Sequence, residues 1–373
     1  MDQFFFGKDA RMITNKKRTM NIPIFIPHLG CPNDCVFCNQ RHISGEHHNV
    51  CDEQQLRQKI EAYLRTGGDH EDIEIAFFGG SFTGIDPKVQ KFYLEIATEY
   101  VKQYGLKGIR MSTRPDYISE EILGFLKAYP VSAIELGVQS LEPKVLELSK
   151  RNHTVEDVYQ AVRLIRETNI ELGLQVMLGL PGDSKDSFEA TIERLIQIQP
   201  KTLRIYPTLV ITHTELENLY MQGKYQPLLV EEAVSMVAQV LPKILEADID
   251  IIRIGLQANE ELNAGAFVAG PYHPAFGELV MDACAYEVFV HIVKTYHERI
   301  RLLDSPLLIG ANQAIVQRLI GHKKVNKEKI EKFLREYVGK AYRLQVRPEL
   351  NAMEITLGDV QKEWVATFNR IGF

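Results

Sequence analysis

Ile22-Pro23-Ile24-Phe25-Ile26-Pro27-His28-Leu29-Gly30-Cys31-Pro32-Asn33-Asp34-Cys35-Val36-Phe37-Cys38-Asn39 joins a short apolar run to a loop carrying three cysteines, spaced by three residues and then two. The run from Ile22 to Pro27 predicts a strand, with the cysteine loop at its end. Three thiolates at this spacing can hold a four-iron, four-sulfur cluster and leave one iron without a protein ligand, whereas a closed cluster takes four cysteines. Only Cys51 and Cys284 remain. Cys51 follows the polar Glu46-His47-His48-Asn49 and reads as a surface thiol at the start of a helix. Cys284 lies in Met281-Asp282-Ala283-Cys284-Ala285, an apolar helix face where free cysteine acts as a small hydrophobe. The alternative for the three thiols is a structural zinc site completed by His28, His42 or His47.

Outward from the loop, residues 21 to 210 alternate short apolar runs with longer amphipathic stretches, the pattern of βα units around a parallel sheet. Strands are expected at Ile22 to Pro27, Ile73 to Phe78, Gly108 to Ser112, Ala133 to Val138, Leu172 to Leu178 and Leu203 to Tyr206. Their near-continuous apolar character predicts burial on both faces. Phe92, Ile96 and Tyr100, or Val158, Val162 and Ile165, recur at helical spacing. Gly79-Gly80-Ser81, Thr113-Arg114-Pro115-Asp116, Gln139-Ser140 and Gly179-Leu180-Pro181-Gly182 each follow a strand. In parallel α/β architectures such ends converge on one mouth, where ligands bind. A further run, Ile249 to Ile254, follows a helix from about Val230 to Leu245 and extends the sheet. Beyond Gln257, Gly265, Gly270, Pro271 and Pro274 break the chain. A helix from Gly277 to Thr295 then precedes short strands near Leu302, Arg343 to Val346 and Met353 to Thr356, which predict a smaller α/β domain.

The 373 residues are 45% hydrophobic and 25% charged, a composition suited to one large core with a smaller appended domain. No apolar run between Met1 and Met20 is long enough for a signal peptide or a membrane span. Five cysteines, three of them clustered, do not form a disulfide framework, and the expected location is the cytoplasm, with no membrane partner. The formal net charge of -6 argues against a general nucleic-acid binder. Its distribution is uneven: Lys323 to Arg347 holds nine Lys or Arg against three acids, so the segment is +6 and the remainder -12. Such asymmetry can dock a polyanion, or it can be a solvated helix face with i, i+4 pairs.

At the cysteine loop, with Phe37 directly before the last cysteine, the chain resembles the radical S-adenosylmethionine (SAM) enzymes. The resemblance implies a partial (β/α)6 TIM-like barrel over residues 1–257, counting an N-terminal extension, and a C-terminal α/β accessory domain over 258–373. It implies a [4Fe–4S] cluster on Cys31, Cys35 and Cys38. SAM chelates the open iron and is cleaved reductively to methionine and a 5′-deoxyadenosyl radical, with the electron drawn from a donor such as a flavodoxin or ferredoxin. Gly79-Gly80-Ser81 looks like the glycine-rich strand end that binds the SAM amino group, or else a plain turn. Gln139 and Arg151 are similar to the polar pair of the oxygen-independent coproporphyrinogen oxidases. Gly179, Leu180 and Pro181 match the strand end that lies along the adenine. Ser112 is a candidate for the ribose. Glu135, a carboxylate within an apolar strand, needs a partner, with Arg151 and Arg114 the candidates. No residue is assigned a catalytic role.

A narrower likeness lies downstream. Arg204-Ile205-Tyr206-Pro207-Thr208-Leu209-Val210, Thr214-Glu215-Leu216, Gly223-Lys224-Tyr225 and Arg253-Ile254-Gly255-Leu256-Gln257 resemble the radical domain of the Elongator catalytic subunit, a tRNA-modifying enzyme. The chain departs from that family in leaving no room for an acetyltransferase domain and in its compact cysteine spacing. Gly270-Pro271-Tyr272-His273-Pro274 looks like a related signature, with Tyr272 and His273 either facing the mouth or closing a structural loop. Together these likenesses imply a radical SAM enzyme acting on a tRNA base. A small metabolite or tetrapyrrole as substrate, and a non-catalytic metal-binding protein, are the alternatives.

Overall fold

The computed structural model describes residues 19–26, 35–38, 52–66, 72–256, 266–350, 354–359 and 362–367. Cys31, Cys51, Gln257, Gly265, His28, His42 and His47 lie outside the described residues.

Seven parallel strands form one curled sheet: β1 (Thr19–Phe25), β2 (Asp72–Phe78), β3 (Gly108–Thr113), β4 (Val131–Gln139), β5 (Glu171–Leu178), β6 (Thr202–Pro207) and, past the short β7 (Val210–Ile211), β8 (Asp250–Ile254). The first six lie side by side in chain order, with β8 beside β6, as in a partial TIM-type barrel. β7 pairs antiparallel with β9 (Phe267–Ala269). Helices between the strands start and stop where the chain supplies caps. Asp86 caps Pro87–Tyr104, which Gly105 ends at φ 62°, and a reciprocal Thr154–Asp157 box opens Val155–Arg166.

The central strand residues are buried on both faces as expected, but only one of those faces is apolar. Ile75 and Phe77, Ile109 and Met111, Ile134 and Leu136, Leu172 and Leu174, and Leu203 and Ile205 are buried at alternate positions. Phe77 packs on Tyr93 of the helix Pro87–Tyr104, ring centroids 5.5 Å apart, so this face turns toward the helices. The intervening positions carry Glu74, Arg110, Glu135, Gln175 and Arg204, so the other face is polar. Period-2 alternation puts the two sets on opposite faces of each strand.

The chain divides into two compact units. One comprises the described parts of Lys17–Val230 with Ile249–Pro274; the other comprises Glu231–Asp248 with the described parts of Ala275–Phe373. The second unit holds the helix Phe276–Thr295 and a four-stranded sheet of β10 (Leu307–Ala311), β11 (Tyr342–Val346), β12 (Glu354–Gly358) and β13 (Glu363–Thr367), in the order β11-β10-β12-β13. The expected strand near Leu302 is displaced to β10: Leu302 is highly exposed and follows the short helix His297–Arg301, so it has no strand environment. No helix among the described residues is long and apolar enough to cross a membrane.

Candidate active site

The described part of the cysteine loop is a single turn, closed by Cys38 N donating to Cys35 O at 2.9 Å. Val36 anchors it. Its side chain is buried with Val210, Leu216 and Tyr225, its N–H donates to Ser149 O (3.2 Å), and its carbonyl accepts from Leu216 N (2.8 Å). The apolar residue between the cysteines therefore supplies the packing that fixes where the sulfurs sit.

Ser149 opens the segment that brings Arg151 inward. Lys150 and Asn152 on either side have φ of 51° and 55°, a left-handed backbone that non-glycine residues adopt at a cost. Arg151 Nη1 lies 3.6 Å from Cys35 Sγ, and Nη2 donates to Gly137 O at 2.6 Å. Gly137 permits this approach: a Cβ there would lie 2.9 Å from Arg151 Nη2 and 3.0 Å from Gln139 Nε2. Gln139, at φ 67°, ends β4 in a bulge against β5 and accepts from Gln175 Nε2 at 3.4 Å. Cys35, Gly137, Gln139 and Arg151 thus form one cluster. Arg151 is almost wholly buried, yet its Nε has no hydrogen-bond partner among the described residues. A buried donor left unsatisfied is costly, so this Nε is a candidate ligand-binding group.

The predicted positions other than Glu135 lie at or near the ends of strands of the same sheet. Gly79, at φ 101°, follows β2, and a Cβ on it would come within 3.0 Å of Ile26 O. Gly80 is half-buried, and buried Ser81 accepts from Gly84 N through its carbonyl at 2.9 Å. Ser112 is half-buried near the end of β3, in register with Glu135. After β5, Gly179 N donates to Asp183 Oδ2 (2.8 Å) and Gly179 O accepts from Tyr225 OH (2.6 Å). The turn with Leu180 and Pro181 is therefore pinned at both polar groups, beside a cavity of about 350 Å³ that also admits Leu148, Lys224 and Leu228. Burial raises the pKa of both Asp183 and Tyr225.

Glu135 has partners other than those expected. Its Oε2 receives Arg204 Nε at 2.5 Å, and its Oε1 receives Arg204 Nη2 (3.1 Å) and Arg110 Nη1 (3.2 Å). Arg110 also holds Glu74 through Nε at 2.8 Å, and Ser132 Oγ donates to Glu74 Oε1 at 2.6 Å. Burial opposes ionisation of Glu74, but Arg110, Ser132 and Lys107 outweigh it and keep the carboxyl below its ordinary value. Arg114 is turned away to Asp116, with two bonds of 2.9 Å. Neither Arg151 nor Arg114 pairs with Glu135, because the polar face of β3 and β6 supplies nearer guanidinium groups. The signal was present in the sequence: Glu74, Arg110 and Arg204 each interrupt an apolar strand with a charge. Tyr272 packs on Phe267 (centroids 5.4 Å apart) beside buried Leu209 and Ile211, which places it in a small apolar cluster. Cys284 is buried and its thiol is pushed up to about 12, chiefly by burial, as expected of a structural cysteine.

His153 was not anticipated. It is 5% exposed and lies near the Val138 carbonyl, but neither ring nitrogen closes a hydrogen bond of normal geometry among the described residues. Burial, then the positive charges of Arg151 and Arg114, lower its pKa to about 3. Unfolded, the imidazole titrates near ~6.5, so between these values the unfolded chain holds the extra proton and stability falls as pH falls. This residue should contribute a loss of about 1.4 kcal/mol per pH unit in that window. The urea midpoint measured from pH 6.5 down to 4.5 should therefore decline less steeply in His153→Leu; parallel declines in the two proteins would contradict the assignment.

Comparison with known proteins follows the same lines. Residues 25–195 match the Radical SAM superfamily and 200–285 match the Radical SAM C-terminal domain. An uncharacterised protein of Methanocaldococcus jannaschii is 30% identical over 238 residues, spanning 61% of this chain and 72% of that relative. The chain belongs to the radical SAM superfamily. The superfamily uses a [4Fe–4S] cluster and SAM, and this member is an enzyme. The tRNA uridine(34) acetyltransferase of Methanocaldococcus infernus is 26% identical over 249 residues, 61% of this radical SAM chain and 45% of that protein. The chain thus spans less than half the length of the acetyltransferase it matches. The structure of an N-terminally truncated archaeal Elp3 from Methanocaldococcus infernus superposes with a TM-score of 0.58 at 21% identity, over 76% of this chain and 63% of that one, a likeness of fold.

Proposed function

We propose that the protein binds a [4Fe–4S] cluster through Cys31, Cys35 and Cys38, cleaves SAM reductively beside it, and modifies a tRNA base. The observation that carries the reading is the buried cluster of Cys35, Gly137, Gln139 and Arg151, with Arg151 Nε unsatisfied. When bound, the cluster supplies the electron for SAM cleavage, delivered to it by a flavodoxin or ferredoxin. The protein's part is to bind and orient. Arg151 presents a guanidinium beside the sulfur proposed to ligate iron, where it can fork onto a carboxylate. Gln139 offers an amide beside it. Gly79, Gly80 and Ser81 present backbone groups for an ammonium, Ser112 a hydroxyl for a ribose, and the pinned Gly179-Leu180-Pro181 turn a flat edge for a base. Glu135 is assigned to the inner wall.

RNA as the substrate is supported by the names of the acetyltransferase relatives and by the second unit's basic segment. Arg335 is paired with Glu331, Arg347 with Glu363, and Lys340 donates to Leu303 O. Lys323, Lys324, Lys327, Lys332 and Arg343 are exposed and make no ion pair among the described residues. Uncommitted cations are what phosphate binding requires.

Anaerobic reconstitution should give about four irons per chain and 5′-deoxyadenosine from SAM. tRNA affinity should fall steeply with salt. Replacing Lys323, Lys324 and Lys327 together by glutamine should weaken it and lower the slope of log K against log salt by about 2–3. An unchanged slope would reject this face. Deoxyadenosine formation stimulated by a metabolite extract free of nucleic acid, and not by tRNA, would replace RNA as the substrate.

A further inference from the structure

Along the polar face of the barrel sheet, one arginine stands outside the ion pairs that its neighbours make among the described residues. Glu74 and Glu135 are both fully engaged, by Arg110 and Arg204, and Lys107 at the edge pairs with Glu171 at 3.1 Å. Arg253 is left over. A bulge in β8 at Ile252 brings Arg253 into register with Arg204 on β6, so the two arginines point to the same face of the sheet. Arg253 is half-buried, and among the described residues it makes no hydrogen bond and no ion pair. Burial lowers its pKa; Tyr206 opposes this, Arg204 adds to the lowering, and Glu135 opposes it. A partly desolvated cation beside a second cation is unfavourable unless an anion joins it. Tyr206 adds the other half of a receptor. Its ring stands at the mouth end of β6, and its hydroxyl accepts from Arg204 Nη1 at 3.4 Å, leaving the phenol proton free to be donated.

We propose that Arg253, with Tyr206, is a subsite for a phosphate ester of the substrate nucleotide, set on the inner wall of the barrel apart from the Arg151 cluster. This rests on the reading of the substrate as RNA and makes it more specific. The guanidinium fork matches two phosphate oxygens, and the tyrosine hydroxyl supplies a third donor. Arg204 is the poorer candidate for this part, because three of its five N–H groups are already committed, those on Nε and Nη2 to Glu135 and one on Nη1 to Tyr206. Arg253 would then position the nucleotide through its phosphate, while the base and sugar remain free to be presented to the rim.

The probe is uridine 5′-monophosphate, compared with uridine by titration calorimetry on the anaerobically reconstituted full chain, in wild type, R253M and R253K. Wild type should bind the monophosphate at least about tenfold more tightly than the nucleoside, by a charge-assisted fork. R253M should abolish that preference and R253K keep part of it. R253M should also unfold at no lower temperature than wild type, since the half-buried charge removed makes no direct ion pair among the described residues, and its SAM affinity and substrate-free SAM cleavage should be unchanged. Equal binding of the two probes to wild type, no binding of either, or a preference that survives in R253M would overturn the subsite. Lost SAM affinity in R253M would overturn it as well, reassigning the arginine to the SAM carboxylate. Failure of the wider reading would be read separately, in iron content, deoxyadenosine and tRNA binding.

Discussion

A Cys35→Ala protein is expected to lose most of its iron on reconstitution and to form 5′-deoxyadenosine at least about a hundredfold more slowly, because a three-thiolate site has no spare ligand. The substitution is clean on structural grounds. Cys35 is 5% exposed, but the turn is fastened by Val36, by the Cys38–Cys35 backbone bond and by the bond from Val36 N to Ser149 O, none of which uses the sulfur. The unreconstituted variant should therefore have a circular dichroism spectrum and an unfolding midpoint close to wild type. Cys284→Ala, in the buried helix of the second unit, should leave iron content unchanged. Normal SAM cleavage by Cys35→Ala would remove the proposed chemistry.

Glu135→Ala should be the most destabilising single change on the inner wall. The side chain is 2% exposed and is the shared carboxylate of Arg110 and Arg204, both of which are also buried. Removing one member of a buried ion pair leaves the partners' charges without compensation, a loss of about 3–5 kcal/mol. For a unit of this size that corresponds to roughly 10 °C in unfolding temperature. Replacing Glu135 and Arg204 together by apolar residues should recover part of the loss, since the charge left behind is smaller. Urea midpoints for the single and double variants measure both effects. A midpoint for Glu135→Ala within error of wild type would show that the network contributes nothing.

The six strands of the barrel and its extension through β8 were legible because apolar runs bounded by glycine and polar clusters are a local signal. Their order was legible because βα units place successive strands side by side. The polar inner face was harder to read. Glu74, Arg110, Glu135 and Arg204 lie up to 130 positions apart in the chain, and only the register of β2, β3, β4 and β6 brings them within bonding distance. The same distance in sequence hid the partner of Glu135. Arg151 and Arg114 were the nearer arginines along the chain, whereas pairing follows the face of the sheet. In the second unit, the strand Glu363–Thr367 was missed and the one expected near Leu302 fell at Leu307–Ala311. Those strands are short and mixed in composition, so periodicity carries little information there.

The sequence by itself determined the superfamily, the parallel α/β barrel and the residue types at the strand ends, because cysteine spacing, strand periodicity and glycine clusters are properties of short segments. Tertiary structure decided which of those residues meet. It set Arg151 against Cys35 through a left-handed turn and a glycine without a Cβ, buried His153 against the Val138 carbonyl with no hydrogen bond of normal geometry among the described residues, and left Arg253 as the one inner-wall arginine among them with no ion pair to a carboxylate. Charge balance on a sheet face is a sum over strands, and it exists only once their register is fixed.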